Sequence, residues 1–418
     1  MSLKVSEPFG SAVNAKLLER HIEELGSIGV RAEGGLYRGV YTKPWADAMR
    51  LVNSWMGEAG LETRSDPVGN LFGRLTGTGD SDGVVLTGSH IDTVIGGGKY
   101  DGALGIHSAI AAIELLKREF GMPLRHLEVY VACEEEGSRF QGNLWGTRAL
   151  VGKTDPAEVE RLRDDAGISI AEAMTGQGLD PTKILLAKRN DILAFVELHI
   201  EQGPTLNERG YDVGIVSSIV GGRNIEVSIC GRADHAGTTP MRSRRDALIG
   251  AAEIILGVNT AALDIGDPGV ATVGTLALRP GSVNVVPEAC TFTIDTRHAD
   301  TQKREQLLQA IYECIDSVAT SRGLDVQVRT LADHDPVAMS GELISLLSRS
   351  ATAERVTFTS IVSGAGHDSD RMAKHFPTAM IFVPSAEGGS HNPNEFTPLH
   401  QIFPGVGVLA RALYELAY

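Results

Sequence analysis

Aromatic residues make up only 5% of the 418-residue chain, and its four cysteines (Cys133, Cys230, Cys290, Cys314) form no C-x-x-C pair. Wide cysteine spacing argues against a disulfide framework and for the reduced thiols of a cytoplasmic protein. There is no N-terminal apolar segment of the secretory kind, no N-x-[ST] sequon and no apolar run of membrane-spanning length. No membrane association is therefore expected. Basic residues are also short, 38 against 53 acidic for a formal charge of −15. That balance argues against a general nucleic-acid binder, although a few local arginines can still serve an anionic substrate.

Glycine is plentiful at 48 residues, and hydrophobic residues reach 42%, a globular composition rich in tight turns. The length calls for two domains or more. Residues 12–30 carry Leu17, Leu18, Ile22, Leu25 and Ile28 at helical spacing, and a second helix is expected after Pro44. Strands are expected at 71–75 and 84–87, then a helix after Asp101 ending near Phe120, then a strand at 127–132. Strand, helix and strand in close succession form a βαβ unit and a largely parallel sheet. Residues 154–190 read as polar helices and turns, and 195–200 as a further strand.

Near residue 217 the texture changes. Strands at 225–229, 272–278, 291–295 and 326–331 alternate with helical runs at 246–257 and 303–321. After Pro336 come a helix at 342–353, a strand at 380–383 and a last helix at 405–416. The expected fold is α/β: a discontinuous catalytic domain, 1–216 with 333–418, on a mostly parallel mixed sheet flanked by helices. An α+β insert, 217–332, interrupts it.

Chemistry-bearing residues gather at the predicted strand ends. His90 and Asp92 are two apart, so they share a face, and Asp92 can orient the imidazole. Alone, an H-x-D pair occurs readily by chance. Asp101 follows a glycine run and precedes a helix, where it reads equally well as an N-cap. Glu134, Glu135 and Glu136 end an apolar strand, where three carboxylates repel one another unless they meet a cation; an exposed acidic run is the alternative. In doubly wound sheets, sites form at the carboxyl ends of strands. His199 ends another strand, and His391 lies in the loop Gly388-Gly389-Ser390-His391-Asn392.

Together these supply three histidines, an aspartate and at least one glutamate. Two cations about 3.5–4 Å apart, bridged by one carboxylate, need such a set, with a further glutamate as general base. Imidazole with carboxylate suits Zn, Mn, Co or Ni and does not select among them. Gly79-Asp80-Ser81-Asp82-Gly83 matches G-x-S-x-G but precedes a strand instead of following one, so it reads as a surface turn. Gly96-Gly97-Gly98-Lys99 lacks the spacing and hydroxyl of a phosphate loop. Cys133 has no evident base and reads as core.

Gly88-Ser89-His90-Ile91-Asp92-Thr93, Tyr100-Asp101-Gly102, Glu135-Glu136-Gly137-Ser138-Arg139-Phe140, Glu197-Leu198-His199-Ile200-Glu201-Gln202-Gly203, Asp234-His235-Ala236-Gly237-Thr238-Thr239-Pro240 and Ser390-His391-Asn392 occur in this order. The set resembles the aminoacylase and carboxypeptidase superfamily of dinuclear metallohydrolases, most closely its amidase, hydantoinase and carbamoylase branch. The resemblance covers essentially the whole chain. It implies that His90, Asp101 and His199 hold one metal, with Asp101 shared between two ions. Glu136 and His391 would complete the second, Glu135 would be the general base, and Asp92 would orient a ligand.

By the same resemblance the insert is a lid and dimerisation domain, which implies a homodimer. His235 would help polarise the scissile carbonyl. Asn284, Arg297 and Gln202 look like substrate contacts, and a planar Arg fork suits a carboxylate. Gly364 and His367, in Gly364-Ala365-Gly366-His367-Asp368, match as pocket wall. Gly34-Gly35-Leu36-Tyr37-Arg38, Val68-Gly69-Asn70-Leu71 and Trp145-Gly146 look most like allantoate amidohydrolases. N-carbamoyl-L-amino-acid hydrolases share nearly every other motif and are the alternative; both cleave a ureido C–N bond in a small carboxylate. An aminoacylase, a dipeptidase or a non-catalytic binding protein of the same fold stands further off.

Overall fold

The structure is a computed structural model describing residues 6–80 and 82–418. Ser81, in the turn read above as a false G-x-S-x-G match, lies outside them. The strands in chain order are β1 (Glu62–Ser65), β2 (Leu71–Leu75), β3 (Val84–His90), β4 (His126–Ala132), β5 (Ile192–Ile200) and β6 (Val213–Ile219). Next come β7 (Gly221–Cys230), β8 (Asp234–His235), β9 (Val270–Arg279), β10 (Val285–Val286), β11 (Ala289–His298) and β12 (Asp325–His334). β13 (Val337–Ala338), β14 (Phe358–Ser363) and β15 (Thr378–Val383) complete the set.

The chain divides into two compact units. One comprises the chain up to Ser217 with Met339–Ile361 and Gly366–Tyr418; the other comprises Ser218–Ala338 with Val362–Ala365. In the first, the strand order is β1-β2-β4-β3-β5-β15-β6, with β14 also beside β6. β4, β3, β5 and β15 run parallel. The β1–β2, β2–β4 and β15–β6 pairs are antiparallel. The sheet is therefore mixed, with its parallel part confined to the four central strands. β1, β6 and β14 are additions that periodicity did not pick out.

Both faces of the central sheet are covered, as a parallel sheet requires. Val85, Leu127, Val129 and Val131 join the large core under the helices, while Val84, Leu86, Tyr130, Ala132 and Phe195 pack on the opposite face. The helix Ala103–Phe120 buries the expected stripe Ile106, Ile110, Ile113 and Leu116, each worth about 1.5–3 kcal/mol. The last helix, Leu399–Ala417, begins before the expected start and carries Pro404 inside it. Pro404 removes one i→i−4 bond near the helix start, but the buried run Gly405 to Leu413 holds the helix together.

The second unit is a four-stranded antiparallel sheet, β12-β7-β11-β9. Strict alternation along β11 puts Phe292 and Ile294 into a core with Ile225, Val227, Ile254, Val258 and Ile311. Helix Ala247–Ile265, capped by Asp246 Oδ1 at the N–H of Leu248 and Ile249, has the length and hydropathy of a membrane span. The sequence reading missed this because Glu253, Asn259 and Asp264 interrupt the run; Ala247, Ala251, Ile254 and Val258 seat one face of it in the core. β8 and β10 form a ribbon pairing His235 with Val285.

Candidate metal centre and its surroundings

Three of the four central strands end on candidate ligands. His90 is the last residue of β3, His199 the penultimate residue of β5, and Glu134 to Glu136 follow β4. The loop after β15 carries His391. Parallel strands align their carboxyl ends at one edge of the sheet, so residues three hundred positions apart in sequence meet there.

Asp101 is at the centre. Its Oδ1 lies 3.2 Å from His199 Nε2 and 3.5 Å from His90 Nε2. Its Oδ2 lies 3.2 Å from His391 Nε2, which is itself 3.6 Å from Glu136 Oε2. His90, Asp101 and His199 thus form one group with metal-ligand spacing, and Asp101, Glu136 and His391 a second that shares Asp101. Gly102 is at φ 65, and a Cβ there would meet the His90 ring at 2.4 Å, so only glycine leaves room for the imidazole.

These residues fit divalent cations. His199 Nδ1 donates to the Ile200 carbonyl at 2.9 Å and His90 Nδ1 to the Asp92 carbonyl at 3.1 Å. Each ring therefore turns its Nε2 lone pair toward a carboxylate oxygen, an arrangement that a shared cation satisfies. Glu136 Oε1 is buried with no hydrogen-bond partner among the described residues. Burial pushes the Glu136 carboxyl up to about 7, and the Asp101 charge adds to it. Burial likewise pushes Glu135 well up, with Glu136, Asp368 and Asp92 adding to the rise against His90. Burial opposes ionisation of Asp101, yet His199, His391 and His90 hold it well below the usual carboxylate range. So many carboxylates at a mostly buried strand end need positive charge.

Asp92 stands beside the His90 imidazole, as its spacing implied, but by a different route. β3 ends at His90, so the same-face rule does not extend to Asp92, and its main-chain carbonyl is the closer partner of His90. The carboxylate Oδ1 is 3.4 Å from His90 Nδ1. Glu134 is buried, and its Oε2 accepts the Trp145 N–H. Gln202 donates from Nε2 to Asp101 Oδ2 at 2.7 Å, leaving its buried Oε1 unpartnered among the described residues. Gln202 and His391 are two of six non-glycine residues with positive φ, at 58° and 56°, among the described residues.

His367 is 2% exposed, its ring 4.5 Å from that of His199 and 5.7 Å from that of Phe382. It stands behind a candidate ligand and does not line an open wall. Gly364 groups with the second unit although it is three residues away. In that unit, Arg297 is gripped side-on by Asp295 (3.2 and 2.9 Å) and donates from Nη1 to the Gly364 carbonyl at 2.9 Å. A cavity of about 620 Å³ is lined by Asn224, Thr293, Asp295, Arg297 and Gly364. His235 is exposed, and its Nδ1 accepts the N–H groups of Gly237 and Thr238, which leaves the proton of the neutral ring on Nε2. The β8–β10 ribbon keeps the exposed Asn284 beside it through the Ala236 N–H to Asn284 carbonyl bond.

Two residues escaped sequence reasoning. Glu197, fully buried in β5, accepts the hydroxyls of Ser89 (2.7 Å) and Ser369 (2.6 Å) and so ties β3 to the His367 turn. An acid in an otherwise apolar strand, two before His199, was the available signal. Glu395 lies beneath Asp101; nothing in its loop distinguished it.

The chain's class follows from the profile match: residues 86–415 match Peptidase family M20/M25/M40, and the chain belongs to that family. Among named relatives, the allantoate amidohydrolase of Bacillus subtilis (strain 168) is 41% identical over 398 residues, 95% of this chain and 97% of that protein. The N-carbamoyl-L-amino-acid amidohydrolase of Pseudomonas sp. (strain NS671) is 39% identical over 408 residues, 96% and 98% of the two chains. A solved amidase of the hydantoinase/carbamoylase family from Burkholderia multivorans superposes with a TM-score of 0.91 at 32% identity, covering 97% of this chain and 98% of that one.

Proposed function

We propose that this chain hydrolyses the ureido C–N bond of a small carboxylate of the allantoate type, using two divalent ions, Zn or Mn before Co or Ni. It is a metal-dependent amidohydrolase of the M20 family, acting on carbon–nitrogen bonds other than peptide bonds. The observation that carries the two-ion reading is the pair of ligand groups sharing Asp101. The 39% identity to a carbamoylase over nearly the full length supports N-carbamoyl-L-amino acids as the second reading.

Divalent ions held by His90, Asp101 and His199 and by Asp101, Glu136 and His391 would supply an activated water and polarise the carbonyl under attack. Glu135 takes the proton from that water at a carboxylate oxygen and returns it to the leaving nitrogen. His235 donates its Nε2–H to the developing oxyanion. Gln202 Oε1 accepts a ureido N–H. Arg297, held flat by Asp295, and Asn284 receive the substrate carboxylate. Closure of the second unit as a lid would exclude water.

The enzyme is proposed to be a cytoplasmic homodimer. All four thiols are free. The apolar helix Ala247–Ile265 leaves Leu256 and Leu263 69% and 73% exposed, next in sequence to the edge strand β9, a surface that a second copy would cover. Sedimentation of the protein should give a dimer that Leu263→Glu dissociates; a monomeric wild type would refute this part. The substrate is tested by ammonia release from allantoate, ureidoglycolate, N-carbamoyl amino acids and dipeptides with Mn or Zn added. Dipeptide cleavage without ureido turnover would overturn the assignment.

A further inference from the structure

Glu395 is 5% exposed and has no ion-pair partner among the described residues, a costly placement for a carboxylate. Its Oε1 accepts the main-chain N–H of Tyr100 at 2.8 Å and of Asp101 at 2.9 Å. Its Oε2 accepts the hydroxyl of Ser390 at 2.8 Å, and that hydroxyl also lies 2.9 Å from Asp101 Oδ2. All three donors belong to Asp101 or to neighbours of the candidate ligands Asp101 and His391.

The glycine run dismissed as a phosphate loop now has a reason. A Cβ at Gly98 would fall 2.4 Å from Cβ and Oε1 of Glu395, so glycine there makes the room in which the carboxylate sits. The His391 loop also needs an external hold. His391 adopts φ 56°, unusual for a side-chain-bearing residue, and its side chain is 51% exposed, so packing does not fix it.

We propose that Glu395 is a positioning residue that locks the Asp101 main chain to the Ser390–His391 turn, so that the Asp101–Glu136–His391 group captures its ion. This rests on the two-ion reading above. Three hydrogen bonds to one rigid carboxylate bring together two loops almost three hundred residues apart, in the manner of outer groups that set a ligand's orientation.

The test is metal content by elemental analysis, with affinity by chelator competition, on the full-length enzyme. Wild type should bind two ions; one or none would refute the two-ion reading itself and not the role of Glu395. Glu395→Gln keeps an oxygen for both N–H groups and donates to Ser390, so both ions should stay within about threefold of wild-type affinity. Glu395→Ala should lose about 10–100-fold in affinity for one ion and keep the other. If that variant fails to fold, Glu395→Asp, which withdraws the acceptor by one methylene, should show the same one-ion loss. Wild-type affinity for both ions in the Ala or Asp variant would overturn the proposal. So would equal weakening of both ions, or a loss in Glu395→Gln as large as in Glu395→Ala.

Discussion

Asp92 holds Glu135 by its backbone: Asp92 Oδ1 accepts the Glu135 N–H at 2.9 Å, and Oδ2 accepts the Glu136 N–H at 3.1 Å. The Asp92 carboxylate therefore braces the turn after β4, while the Asp92 main-chain carbonyl accepts from His90 Nδ1. Asp92→Asn keeps one acceptor and turns an amide N–H toward a main-chain N–H. Activity should fall about 10–100-fold, read as kcat/KM with metal content in parallel. Unchanged kinetics would mean that the turn holds without Asp92.

Glu135→Gln preserves shape and removes the proton acceptor. Metal content should remain at the wild-type level, while kcat falls by about 10²–10⁴-fold. Near-wild-type turnover would reassign the base.

Asp101 touches both ligand groups, so Asp101→Ala should lose both ions in elemental analysis, whereas His391→Ala should lose one. Chelation of the wild type should abolish activity, and added Mn or Zn should restore it. Full occupancy in Asp101→Ala would exclude a bridging role.

How much of this was readable in advance depends on the range of the cause. Hydrophobic runs at 84–87 and 127–132 and the stripe Ile106 to Leu116 announced the central βαβ unit, because local period reports local burial. His90, His199 and the Glu134–Glu136 run stood out at the ends of apolar strands, and Asp101 and His391 in glycine-rich loops. The choice of Glu136 and the division into two ligand groups came from the family resemblance. Glu395 could not be picked out: its meaning lies in donors 294 and 295 positions away. Asp92 was legible as a polar residue at a strand end, but its partners across the sheet were not. The last helix starts at Leu399, before the expected 405, with Pro404 inside it.

Arg297→Ala should raise KM for carboxylate substrates and leave kcat nearly unchanged. Arg297→Lys should not rescue it, since an ammonium cannot reproduce the side-on grip of Asp295 and still present a flat fork. Equal KM in wild type and Arg297→Ala would point to another anchor.

Glu128 lies fully buried in β4, with Arg74 Nε at 2.6 Å, Arg189 Nη1 at 2.5 Å and Arg64 at 3.4 Å. Burial opposes its charge, but Arg189, Arg64 and Arg74 hold its carboxyl below the usual range. A depressed folded value means stability that is complete above the unfolded value near about 4.3 and is lost as pH falls through the lower folded one. Glu128→Gln should cost about 3 kcal/mol at pH 7, toward the low end for a broken buried pair because Arg64 and Arg74 are partly solvated. Urea titrations should show the gap to wild type closing below about pH 4; a gap independent of pH would exclude the charge as its source.

β15 slots between β5 and β6, yet it is made long after both. At about 5–20 residues per second, roughly ten to forty seconds separate the synthesis of β5 from that of β15. A sheet formed before β15 is made would carry an unpaired edge at β5, apolar on one face and bearing Glu197 and His199 on the other. The strand that closes this edge is also the one that delivers the loop bearing His391.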